Sequence, residues 1–265
     1  MDVSLIQMNL KSRKLYMNTN VNIALPEVPE GRNPREYYES NGKLKVLWLL
    51  HGGNSDCSAW ERKTRIEKYA VPRNLMVVMP EAYNSFYTNW PEILMNWEDY
   101  FLDELMPCIY NWFPASDKPE DNFIAGESMG GIGAAKYVAN HPEMFGGAAI
   151  FSVGPVDFNA EPTGPRDERI RYQYLLANGG LEQAVSSSDN AWDLLVKNKD
   201  RLPRIYCSCG TGDDHYDQVY LKFKEHALAN GLPIEFREIP EYGHDWALWN
   251  SEIEYALDWF GLKAE

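Results

Sequence analysis

Asn122-Phe123-Ile124-Ala125-Gly126-Glu127-Ser128-Met129-Gly130-Gly131-Ile132-Gly133-Ala134-Ala135 is the stretch on which the fold turns. It reads as a short apolar strand, a tight turn on Gly126-Glu127-Ser128-Met129-Gly130, and a helix of small residues. G-x-S-x-G between a strand and a helix is a nucleophile elbow, a sharp turn that holds the serine Oγ clear of the sheet. Side chains two residues either side of the serine would collide with the neighbouring strand and helix, so glycine occupies both places. The first N–H groups of the following helix lack partners inside it, which leaves the Met129 N–H able to face an oxyanion. The five-residue pattern alone arises by chance in about one chain in ten of this length. The strand before and the helix after give it weight.

The rest of the chain alternates in the same way. Residues 3–10 and 13–25 pattern as a strand pair, and 26–42 as a polar loop without a regular element. Leu44–Leu50 and Leu75–Pro80 are near-continuous apolar runs, as in strands covered on both faces. A helix is expected over 57–70. Another is expected over 95–113, kinked or divided by Pro107. After the elbow helix come a strand at 147–152, a polar insert at 155–203 with short helices near 167–178 and 189–199, and a strand at 204–209. A helix at 216–230, a strand at 234–239 and a terminal helix at 246–262 complete the chain. Eight strands with interleaved helices predict an α/β fold, a mostly parallel sheet with helices on both faces. One domain is expected over 1–265, with 155–203 as its cap.

The chain has 265 residues, 45% of them hydrophobic, with 9 Trp and 16 Tyr, which suits a compact enzyme. A formal charge of -14 disfavours nucleic acid and anionic membrane surfaces. No basic leader and no run of about 18 apolar residues stands at the N-terminus, so a cytoplasmic location is expected. Cys207 and Cys209 sit two apart in an apolar run, on one face of a strand, and no second ligand pair supports a metal site. Buried, reduced thiols are expected.

A serine nucleophile needs a base to take its proton, an acid to orient that base, and N–H donors for the oxyanion. The candidates follow strands in the order Ser, Asp, His. Gly210-Thr211-Gly212-Asp213-Asp214-His215 follows one strand, and Glu241-Tyr242-Gly243-His244-Asp245-Trp246 follows the next. His244 is the expected base. His51 is read as structural, His141 as a helix-end residue and His226 as a helix-face residue, while His215 lies too near the acid loop. Asp213 is the acid candidate, and spacing alone leaves Asp214 open. His51-Gly52-Gly53 follows the third strand, and the Gly53 N–H is the expected second oxyanion donor beside that of Met129.

With these residues in place the chain resembles the esterase family of α/β-hydrolases that includes tributyrin esterases, feruloyl esterases and S-formylglutathione hydrolase. The likeness rests on Leu49-Leu50-His51-Gly52-Gly53 with Trp60, on Ser85-Phe86-Tyr87-Thr88, and on the elbow itself. Cys209-Gly210-Thr211-Gly212-Asp213 and Gly243-His244-Asp245-Trp246 complete it. The tributyrin-esterase branch is the nearest likeness. The resemblance places the family's acid on Asp213. It implies an α/β-hydrolase fold and a serine carboxylesterase acting on short-chain acyl or small aryl esters through an acyl-enzyme. No metal or organic cofactor is implied, and the partner is a small-molecule ester, with a homo-oligomer compatible. Rival readings are an acyltransferase with the same triad, a thioesterase like S-formylglutathione hydrolase, and a non-catalytic binding protein. Glu127 departs from the family, where Leu or a similar residue is common. Tyr172 and Tyr174 are candidate aromatic walls of a compact pocket under the cap.

Overall fold

A computed structural model of the chain describes residues 3–40, 42–162 and 164–264. Met1 and Asp2, part of the leader reading, lie outside them. Eight strands form one sheet: β1 (Val3–Lys11), β2 (Asn18–Pro26), β3 (Lys45–Leu50), β4 (Leu75–Pro80), β5 (Asn122–Glu127), β6 (Gly147–Phe151), β7 (Arg204–Gly210) and β8 (Ile234–Ile239). Their spatial order is β1-β2-β4-β3-β5-β6-β7-β8. The β1–β2 and β2–β4 pairs are antiparallel, and every later pair is parallel.

The apolar runs are continuous because each face of the sheet is covered. Alternate residues enter different cores. Val46, Trp48, Leu50, Ile124 and Ile150 pack on one side, and Leu47, Leu49, Ala125, Ala149 and Phe151 on the other. Cys207 and Cys209 share the first of these faces, and all four cysteines are free thiols. Burial pushes the Cys57 thiol up to about 12, so it stays protonated.

Register decides what meets at the C-terminal edge of the sheet. Leu50 pairs with Gly126, so the loops after β3 and β5 leave side by side. Ile239 pairs with Gly210, so the loops after β7 and β8 do the same. Strand order reverses at β3 and β5, and crevices at such reversals are where ligands bind open α/β sheets.

Several elements differ from the sequence reading. The segment 26–42 contains a helix, Pro34–Ser40. The Asn33 side chain caps it, accepting from the Arg35 N–H at 3.0 Å. The helix expected over 57–70 is two, Ala59–Lys63 and Ile66–Ala70. Thr64 is extended between them, and its hydroxyl donates to the Trp60 carbonyl and accepts from the Ile66 N–H. Pro107 does not divide its helix. The turn before it widens to a π-helix over Tyr100–Leu105, with the Met106 N–H donating to the Phe101 carbonyl. That shift absorbs the missing donor. The 155–203 segment carries three helices, Pro165–Asn178, Leu181–Ser186 and Ala191–Lys197. Among the described residues no helix is long and apolar enough to cross a membrane.

One buried charge cluster joins that segment to the elbow helix, Met129–Asn140. Lys136 Nζ donates to Asp189 Oδ1 at 2.5 Å and Thr88 Oγ1 at 3.1 Å, and lies 3.0 Å from Glu98 Oε2. Asn178 donates to the second Asp189 oxygen at 2.7 Å. Burial would raise the Asp189 pKa, but Lys136 and the donors around it hold it below its ordinary value. A buried pair of this kind is tolerated only because its remaining lone pairs are satisfied.

Candidate active site

Ser128 sits between β5 and the elbow helix with φ +51° and ψ −120°, a strained conformation for a residue with a side chain. The surroundings hold it there. The Ser128 N–H donates to the Phe151 carbonyl at 2.9 Å, and its own carbonyl accepts from the Ile132 N–H. A Cβ on Gly126 would lie 2.3 Å from the Gly130 backbone, and one on Gly130 would lie 2.3 Å from the Leu50 carbonyl oxygen. Both glycines are therefore required by backbone contact. Gly53, Ser128, Met129 and His244 line one cavity of about 750 Å³.

His244 is placed by the loop after β8. Asp245, the next residue, caps the terminal helix Trp246–Trp259, accepting from the Ala247 and Leu248 N–H groups at 2.9 and 3.1 Å. The His244 ring stands edge-on to Trp249, with centroids 5.0 Å apart, and its Nδ1 lies 2.9 Å from Asp213 Oδ2. Asp213 is buried, whereas Asp214 is exposed. Of the two, Asp213 is the one that meets His244. Burial would raise the Asp213 pKa, but bonds from His215 and His244 outweigh it and hold the carboxyl well below the usual carboxylate range.

Two residues play larger parts here than the sequence reading gave them. His215 is buried, with Nδ1 3.0 Å from Asp213 Oδ1 and 3.1 Å from His244 Nδ1, so two imidazoles share one carboxylate. Glu127 is buried beside Ser128, and its Oε1 accepts from the Gly52 N–H at 2.5 Å. It therefore holds the Gly52-Gly53 loop against the elbow. His51 is buried as a scaffold residue, accepting from the Ala82 N–H at Nε2 and lying 3.2 Å from Glu81.

Burial raises the Glu127 pKa from 4.5 to about 8, with the Gly52 N–H and Lys63 acting in the opposite direction. The folded protein then keeps a proton that the unfolded chain gives up. Stability from this group is present below about pH 4.5, falls by at most about 1.4 kcal/mol per pH unit, and is gone above about pH 8. Gln at this position keeps an acceptor for Gly52 and cannot ionise. In urea unfolding, the stability of Glu127→Gln relative to wild type should therefore rise by several kcal/mol between pH 5 and pH 8. A difference independent of pH would mean that the folded state already carries the carboxylate at pH 5.

The candidate aromatic walls do not reach the cavity. Tyr174 is buried among Phe86 and Phe158, at ring distances of 5.4 and 5.6 Å, and Tyr172 is exposed. Two residues apart, they sit about 200° around the helix from one another, so they cannot wall one side of a cavity together. Tyr174 shares a face with Ile170, which does line the cavity, but its ring is taken up by Phe86 and Phe158. From 155–203 the cavity takes charged residues such as Arg166 and Arg169 beside apolar ones such as Val156 and Ile170, with Trp192 as an aromatic one.

The chain matches the family described as "Putative esterase" over residues 17–260. It is 29% identical to an acetyl esterase of Caldicellulosiruptor saccharolyticus, covering 99% of this chain and all of that one. Among solved structures it is similar to FphF, a fluorophosphonate-binding serine hydrolase of Staphylococcus aureus, with 28% identity and a TM-score of 0.82 over 99% of this chain and all of that one. It is also similar to the S-formylglutathione hydrolase FrmB of the same organism, at 28% identity and TM-score 0.81 over the same shares. With its eight-stranded α/β-hydrolase sheet, the chain belongs to the Esterase family and is a carboxylic ester hydrolase.

Proposed function

We propose that the protein is a serine carboxylesterase for esters with a short acyl chain or a compact aryl acyl group. The observation that carries the mechanism is the strained Ser128 elbow opening on the same cavity as a histidine whose Nδ1 is bonded to a buried aspartate. Ser128 Oγ attacks the ester carbonyl while His244 Nε2 takes its proton. Asp213 accepts from His244 Nδ1, fixing the tautomer and stabilising the imidazolium. The Gly53 and Met129 N–H groups receive the developing oxyanion. His244 passes the proton to the leaving alcohol, and water then cleaves the acyl-enzyme by the same route in reverse. In this reading 155–203 is the cap of a single catalytic domain, and the partner is a small ester.

The substrate preference is supported by the cavity wall. Arg166, Arg169, Lys222 and Glu225 interrupt it, so a long acyl chain would meet charged heads in place of a continuous apolar channel. Likeness to an acetyl esterase points the same way. Likeness to an S-formylglutathione hydrolase supports a second reading, a small thioester substrate, which uses the same groups. The test compares kcat/KM for acetate, butyrate, octanoate and palmitate esters, methyl ferulate and a formyl or acetyl thioester. An apolar channel would add up to about 0.8 kcal/mol, roughly fourfold, for each CH₂ buried. The expected result is a maximum at acetate to butyrate or with the aryl ester; a steady rise toward palmitate would refute the preference.

A further inference from the structure

His215 has no part in the hydrolytic mechanism above, yet its ring is buried against both Asp213 and His244. The two Nδ1 atoms lie 3.1 Å apart, and each is 2.9–3.0 Å from an oxygen of the same carboxylate. Among the described residues, Asp213, His215 and His244 are the group whose ligand-type atoms all lie within 4.8 Å of one another. Tetrahedral Zn²⁺ holds nitrogen and oxygen ligands at about 2.0–2.2 Å, which puts neighbouring ligands about 3.3 Å apart. The nitrogens need to part by only a few tenths of an ångström to admit such an ion between them. Two imidazoles and a carboxylate suit Zn²⁺ or Cu²⁺ and offer too few oxygens for Mg²⁺ or Ca²⁺. Both rings also line the cavity, which gives an ion its entry and a water its fourth position. From this arrangement we infer that Asp213, His215 and His244 form a reversible inhibitory site for a borderline transition-metal dication such as Zn²⁺.

The consequence follows from proton placement. A neutral imidazole carries one N–H. In the hydrolytic arrangement it is on His244 Nδ1, facing Asp213, and the Nε2 lone pair can accept the Ser128 proton. A metal on Nδ1 binds the electron pair that the N–H held there, and the displaced proton goes to the Nε2 lone pair, so each ring keeps one proton and no electron is transferred. Ser128 then faces a donor and cannot be deprotonated. The inhibition rests on the proposed role of His244; the binding does not.

Binding is read on full-length Ser128→Ala, by the visible bands of tetrahedral Co²⁺ and by displacement with Zn²⁺. The same measurement is made with His215→Phe or His215→Asn added; the Asn variant keeps a polar, smaller side chain if Phe disturbs folding. Cys108→Ser controls for the partly exposed thiol. One Co²⁺ per chain is expected, bound at least tenfold more weakly in both His215 variants and unchanged in Cys108→Ser. Equal affinity in the His215 variants overturns the site. Esterase rates are then followed with rising Zn²⁺, each protein against its own metal-free rate. Wild type should lose its activity, regain it in EDTA, and need at least tenfold less Zn²⁺ than the His215 variants. Binding that leaves the wild-type rate intact overturns the inhibition and, with it, His244 as the base.

Discussion

Ser128→Ala should remain folded and lose ester hydrolysis by roughly a millionfold in kcat, leaving the residual turnover that oxyanion donors and binding alone provide. The size of the loss follows from the mechanism, because no other group at the elbow can form the acyl bond. The fold should persist because what sets the turn is backbone contact among Gly126, Gly130, Leu50 and Phe151, and the Ser128 side chain is only half-buried. Losing a strained hydroxyl here costs little packing. Labelling by a fluorophosphonate should vanish in the same variant. Wild-type turnover in Ser128→Ala would remove the serine from the chemistry, and a wild-type protein that neither labels nor turns over would favour a binding protein on a hydrolase fold. An acyltransferase would instead show product partitioning toward an added alcohol in burst experiments.

Asp213→Asn should lower kcat by about 10⁴, while Asp214→Asn should change it by no more than a few-fold. An amide at position 213 presents one donor and one acceptor where two imidazoles now meet a carboxylate. It can satisfy the His244 tautomer only by turning its NH₂ group toward His215, and it brings no charge to stabilise an imidazolium. Asp214 is exposed, and its charge is screened by water and salt. Equal losses in the two variants, or a larger loss at 214, would move the acid role away from Asp213. Circular dichroism on both variants distinguishes lost chemistry from lost structure.

Strands and elbow were legible because their signals are local. β3 and β4 are near-continuous apolar runs, since both faces of each are covered, and the elbow must carry glycine at fixed offsets from the serine. Asn33-Pro34 with Glu36 also spelled a helix start, and the density of Pro and Gly around it masked that signal. What was not legible is long-range. Glu127 meets Gly52, 75 positions away, and Lys136 meets Asp189, 53 positions away. Nothing in either local stretch marks the partner. His215 was passed over for its closeness to the acid in sequence, yet the turn Asp213-Asp214-His215 is what brings its ring to the same carboxylate. For Tyr172 and Tyr174, composition shows neither that they point to opposite sides of one helix nor that Phe86 and Phe158 take up the Tyr174 ring.

The buried lysine of the elbow helix gives the roof of the cavity two halves with different freedoms. The half that meets Lys136 is fastened at Asp189, which Asn178 braces, to the very helix that begins after Ser128. The half that lines the cavity, with Asp157, Glu161, Arg166, Arg169 and Gln173, contributes mostly solvent-wetted side chains. Exchange of those side chains redraws the substrate outline without loosening the fastening, so selection can diversify what the enzyme accepts while the machinery beneath stays untouched. A library confined to 157–173 should accordingly yield many folded, active variants with altered ester preference, whereas one that includes Asp189 should yield few.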